Sequence, residues 1–235
     1  MKNLQHKNKS EQMLKKFQEK VVEFNKAFAE NTKEEDCGLT VGIEMEMAVV
    51  SRDDLQPVSE SIRNEIVSSC GNAADKELGA HQIEIRTEPQ NFEKEGFLGI
   101  LEKVAEIENS AHRNASDHNS ILLRQGTCPL PENPEDIIAT DLQKYKDVPG
   151  YYDNKRGEFI DTSIGADHIY ADSAKIIGLC NSVQFNFGVS DMNQAIGLSN
   201  IFHSITPEIL ALSGNGRFIF GKDTKRDDIR MSAWE

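Results

Sequence analysis

The sequence predicts an α+β fold in which an antiparallel sheet carries helices on one face. Three segments, "GIEMEMAVV" at 42–50, "HQIEIRT" at 81–87 and "SVQFNF" at 182–187, alternate apolar and polar side chains with the period of two expected of half-buried strands. Segments between them repeat apolar residues every three or four positions, the period of amphipathic helices. Each strand has one dense apolar face and one face of oxygen-bearing groups. Helices are expected on the first face, and the second is expected to stay open, as antiparallel sheets allow.

In chain order, Met13, Leu14, Phe17, Val21, Phe24 and Phe28 predict an N-terminal helix over 10–31 with one buried stripe. "NTKEEDCG" breaks it, and the first strand runs over 41–50. Ser59 and Gly71 bracket a short helix as its cap and its stop. The second strand ends at Pro89, and Phe97, Ile100, Leu101, Val104, Ile107 and Ala111 predict a long helix over 92–114. "SILL" reads as a short strand followed by proline-rich loop, and Pro134 as the start of another helix. The stretch "PGYYDNKRGEFID", rich in turn and aromatic residues, is expected to be a mobile loop between Val148 and Asp161 on the substrate side. After the third strand Asp191 caps a helix to about Ser204, and "TPEILALSGNG" predicts a separate one with Thr206 as cap and Pro207 at its first position.

With 26 basic and 39 acidic side chains the formal charge is −13, and no Lys/Arg cluster offers a phosphate-binding groove, so nucleic-acid binding is not expected. The cysteines, Cys37, Cys70, Cys128 and Cys180, form no CxxC pair, which excludes a zinc knuckle and predicts reduced thiols. The N-terminus lacks an apolar signal core and no apolar run approaches a membrane span, so a cytoplasmic protein without membrane contact is expected. GxxxxGK[ST], GxGxxG and GxSxG motifs are missing, and the histidines show no partner pattern. "LSGNGRF" fits a helix C-cap or backbone contacts to phosphate.

The chemistry is concentrated in the polar strand faces. Glu44 and Glu46 share a side of the first strand, Glu84 lies on the polar side of the second, and Glu77 stands in the segment entering it. One reading is a solvated sheet face. The other is a cation site, since four crowded carboxylates repel one another unless a cation sits among them. Oxygen ligands without His or Cys suit Mg²⁺ or Mn²⁺, and Mg²⁺ held by carboxylates commonly works with substrate phosphates.

These strands, followed by Ala211, Leu212 and Ser213 and by Gly221, Asp223, Thr224, Arg230 and Trp234, resemble the glutamate–cysteine ligase family, including its carboxylate–amine ligase branch. The matching motifs are "GIEME" at 42–46, "ELGAHQIEIRTEP" at 77–89 and "SVQFNF" at 182–187, and the resemblance runs from Gly42 to Glu235. It implies a curved antiparallel sheet of the glutamine synthetase and creatine kinase type. It also implies ATP-dependent phosphorylation of the glutamate side-chain carboxylate and attack on the acyl phosphate by the amine of cysteine or of another compound. By the same resemblance Glu44, Glu46, Glu77 and Glu84 are Mg²⁺ ligands, Gln184 and Asn186 contact metal, nucleotide or substrate, and Arg230 contacts a phosphate or carboxylate. Arg217 replaces a common proline of the family. Family members continue past the position of Trp234, so the resemblance implies an N-terminal helical segment, 1–40, and a catalytic domain, 41–235, without the family's C-terminal portion. A catalytically silent relative that binds nucleotide or a partner is the alternative.

Overall fold

The computed structural model describes residues 14–23, 26, 38–156, 160–164, 167–171 and 174–234. Its centre is one strand, β1 (Thr40–Ser51), which pairs antiparallel with four others. On one side lie β3 (Gln82–Arg86), with β2 (Ala74–Lys76) beyond it, and the short β4 (Gln90–Asn91). On the other side β8 (Val183–Gly188) takes the first half of β1 and β5 (Ser120–Leu123) the last four residues. The expected mixture of helices and antiparallel sheet is observed.

Helices α2 (Glu60–Cys70) and α3 (Phe92–Asp117) cover the face carrying Met45, Met47, Val49, Ile83 and Ile85, and their Ile66, Ala111 and Ala115 close that core. The Ser59 side chain accepts the Ile62 N–H as the cap of α2, and Gly71 ends it with φ 61°. Asn91 caps α3 by accepting from Lys94 N–H, and Gly96 bends it with φ 67°, a conformation costly for any other residue. Beyond that bend Ile100 turns inward, whereas Phe97 and Leu101 of the expected stripe remain exposed.

The opposite face is open only in part. Ala48 and Val50 pack there into a second core with Ile176, Ile177, Leu179, Ile219, Phe220 and Ile229. These come from a 3₁₀ helix at Ala174–Leu179 and from the C-terminal segment, which holds the hairpin β9 (Phe218–Ile219) and β10 (Lys222–Asp223) and the helix α6 (Arg230–Trp234). The continuous apolar run "MAVV" that ends β1 is the composition of a strand buried on both faces. A Cβ on Gly79 would lie 2.3 Å from the Gly178 carbonyl oxygen, so two glycines let the β2–β3 turn rest against the 3₁₀ helix.

Several expected elements differ. Pro134–Asp136 make only a 3₁₀ turn, and the helix α4 begins at Gln143. Thr140 explains the delay: its N–H donates to Leu78 O at 2.8 Å and its hydroxyl to Glu77 O at 2.5 Å, laying the chain against the β2–β3 turn. The expected loop after Val148 is helical, since α4 continues through Pro149 to Arg156; 157–159 lie outside the described residues. A hairpin of β6 (Ile160–Ile164) and β7 (Asp167–Ala171) follows, which the sequence did not announce. Asp191 caps α5 as expected, accepting from Gln194 N–H, but α5 runs unbroken over Met192–Leu212. The Thr206 hydroxyl turns back onto Phe202 O at 2.6 Å instead of capping a new helix at Pro207.

The N-terminal helix is present over 14–23 (α1), yet Leu14 and Phe17 are 58% and 66% exposed, so the expected burial is not observed. Met13, Phe24, Phe28 and the breaker at 32–37 lie outside the described residues. Cys70, Cys128 and Cys180 are free thiols, and burial pushes the last two up to about 11 and about 12; Cys37 lies outside the described residues. No described helix is long and apolar enough to cross a membrane.

Candidate functional site

Strand register assembles the acidic face. Glu46 sits opposite Glu84, Glu44 lies between Arg86 and Gln184, and Gly42 faces Asn186. Directly opposed residues share a face, so these side chains project to the same side, away from α2 and α3. Glu77 joins them from the turn between β2 and β3. Its Oε1 accepts the Leu78 N–H at 3.0 Å, and the Tyr145 hydroxyl lies 3.3 Å from its Oε2 and 2.8 Å from Lys76 O.

Glu46, Glu77 and Glu84 each place a carboxylate oxygen within 4.8 Å of the others, and all three are half-buried. Glu44 stays outside this trio, although its charge acts on both Glu46 and Glu84. Burial, reinforced by Glu44, Glu77 and Glu46, pushes the Glu84 carboxyl up to about 7, and Arg86 opposes this. Burial also raises Glu46, with hydrogen bonds from Ser182 working against it.

Glu46 is held by Ser182, a residue the sequence reading did not single out. The Ser182 N–H and hydroxyl donate to Glu46 Oε2 at 2.8 and 2.9 Å, while the Glu46 N–H donates to Ser182 O at 2.9 Å. Gln184 Nε2 approaches Glu46 Oε1 at 3.4 Å. Preceding Ser182, Asn181 accepts from Gln82 Nε2 at 2.8 Å and donates to Gln125 O at 2.9 Å. These links span the chain, and no local periodicity marks them.

Beside the trio opens a cavity of about 840 Å³. Glu46, Glu77, Gln184 and Ser182 are among its polar lining residues; Leu78, Val148, Ile177, Leu210 and Met231 supply apolar walls. Arg230 also lines the cavity, where the Glu46 charge acts on it, and its guanidinium is largely engaged. It pairs with Asp228, and Nη1 and Nη2 donate to Asn181 O at 2.9 Å and Ser213 O at 3.1 Å. Asn186 shares the sheet face but is not among the residues lining the cavity.

The donor set suits a hard divalent cation. Around one octahedral Mg²⁺, ligand oxygens at about 2.1 Å lie about 3.0 Å apart when adjacent and about 4.2 Å apart when opposite, so a trio within 4.8 Å of one another would draw inward to share one ion. A cation would also replace the mutual repulsion that raises Glu84.

The family described as "Glutamate-cysteine ligase family 2(GCS2)" matches residues 40–235. None of the curated proteins matches the chain. Among solved structures, a 2.0 Å crystal structure of glutamate–cysteine ligase from Francisella tularensis in complex with AMP is similar at 15% identity and a TM-score of 0.45. The similarity covers 72% of this chain and 30% of that one, so the chain spans less than a third of that enzyme's length.

Proposed function

Since the chain belongs to glutamate–cysteine ligase family 2, we propose that it is the catalytic portion of an ATP-dependent carbon–nitrogen ligase. In this reading it joins the side-chain carboxylate of glutamate to the amine of cysteine through an acyl phosphate. The observation that supports it best is the convergence of Glu46, Glu77 and Glu84, two of which, Glu46 and Glu77, line a cavity large enough for small-molecule substrates.

The trio would hold Mg²⁺ or Mn²⁺, with Glu44 adding negative charge from the same face. Bound there, the cation would neutralise phosphate oxygens during phosphoryl transfer. The residues themselves position and shield. Gln184 stands beside Glu46 as a contact for metal or nucleotide, and Asn186, further along β8, is assigned to nucleotide. Arg230 contacts a substrate carboxylate or phosphate through the donor capacity that Asp228, Asn181 and Ser213 leave free. The apolar walls exclude water from a reactive intermediate. Those walls also favour a second reading, in which the amine belongs to a compound with a larger apolar side chain.

The test supplies the purified chain with Mg²⁺, ATP, glutamate and a panel of amines, and follows ADP and new amide by mass. Formation of γ-glutamylcysteine supports the first reading and a different amide the second. If neither ADP nor amide forms with any pair, the chain is not a ligase by itself, and nucleotide or partner binding without catalysis becomes the better account.

A further inference from the structure

Resting on the cation reading above, we propose that Ser182 is the positioning residue of the acidic trio, fixing Glu46 before any cation arrives. Ladder pairing between β1 and β8 reaches Met45 and Val183, and one step further Glu46 and Ser182 meet. There the rung becomes a clasp. The Glu46 N–H donates to Ser182 O, and both the N–H and the hydroxyl of Ser182 return to the same carboxylate oxygen, Oε2. Two donors converging on one oxygen restrain the end of a side chain that would otherwise rotate freely. Freezing such a chain costs conformational entropy, and here the cost falls on folding and not on ion binding. Oε1 keeps only the long approach of Gln184 among the described residues.

The clasp is anchored at its own base. Asn181 is tied to Gln82, a fully buried residue of β3, and its carbonyl accepts from Arg230 of α6. Ser182 therefore relates the strand carrying Glu46, the strand carrying Glu84 and the helix carrying Arg230. Its hydroxyl is the part of this arrangement that a side-chain change can remove, because the backbone N–H survives substitution.

The experiment measures Mn²⁺ binding to the full chain without nucleotide, by the electron paramagnetic resonance signal of free Mn²⁺, with Glu46→Gln as the site control. Ser182→Ala is expected to weaken Mn²⁺ about tenfold, the usual scale for a group that orients a metal ligand. Ser182→Thr, which retains the hydroxyl, is expected to restore affinity to within about threefold of the parent. Wild-type affinity in Ser182→Ala overturns the proposal. So does equal loss in both variants. A purely structural role would lower the melting temperature of the metal-free variants and leave Mn²⁺ affinity unmoved, which also overturns it. Should the wild-type chain bind no Mn²⁺ that Glu46→Gln abolishes, the cation reading itself fails and this inference fails with it.

Discussion

Neutralising Glu84 is expected to stabilise the metal-free protein above neutral pH. Its carboxyl is pushed up to about 7 in the fold from an ordinary value of 4.5. Between those values the folded state holds a proton that the unfolded chain has released, so stability contributed below pH 4.5 is lost as pH rises through 7. A rise of that size corresponds to about 3 kcal/mol at most. Glu84 is only half-buried, and solvent screening reduces the expectation to about 1–2 kcal/mol. Glu84→Gln removes the term at every pH. Urea unfolding in chelator should therefore find the variant more stable than wild type by that amount at pH 8 and no more stable at pH 4.5. Added Mg²⁺ should reverse the order at pH 8, raising wild type alone. A variant no more stable than wild type in chelator at pH 8, or a gap that persists at pH 4.5, would refute the reasoning.

Three other outcomes follow from buried contacts. His81 is buried with no described partner for Nε2, and burial followed by the Arg63 charge lowers it to about 4. It is neutral in the fold while the unfolded imidazole protonates below 6.5, so wild type should lose about 2 kcal/mol between pH 8 and pH 5 relative to His81→Phe, read as the difference between their unfolding curves. Arg63, fully buried, donates to Gln82 O at 2.9 Å, Thr140 Oγ1 at 3.1 Å and Glu60 at 3.2 Å. Arg63→Met leaves those acceptors unmatched and should cost about 3–5 kcal/mol in denaturant titration. Gly79→Ala forces a Cβ onto Gly178 O and the Gln82 side chain, for an expected loss of about 1–3 kcal/mol by the same assay.

Alternation along three strands was enough to foresee that Glu46 and Glu84 share a face, because side-chain period and antiparallel register leave few other arrangements. Glu77 lies outside any strand pattern and was legible only as part of a motif. Ser182, Asn181 and Tyr145 were not legible, since each acts through a hydrogen bond to residues far away in the chain. Local signals also lost to tertiary ones. Pro134 is a good helix start, but Thr140 is pinned to the β2–β3 turn and keeps the chain out of an α-helix until Gln143. The sheet face expected to be open throughout is covered at one end, for a reason the doubly apolar end of β1 already contained.

The pairing of β1 with a strand far downstream sets an order of events at the ribosome. Glu46 and Ser182 are 136 residues apart. At a synthesis rate of 5–20 residues per second, roughly 7–27 s separate their appearance. Glu46, Glu77 and Glu84 all belong to the early part of the nascent chain, which also contains α2, α3 and β5. The acidic trio is thus made long before its serine clasp, and through that interval its repulsion is relieved by Arg86, protons or dissolved cations and not by Ser182.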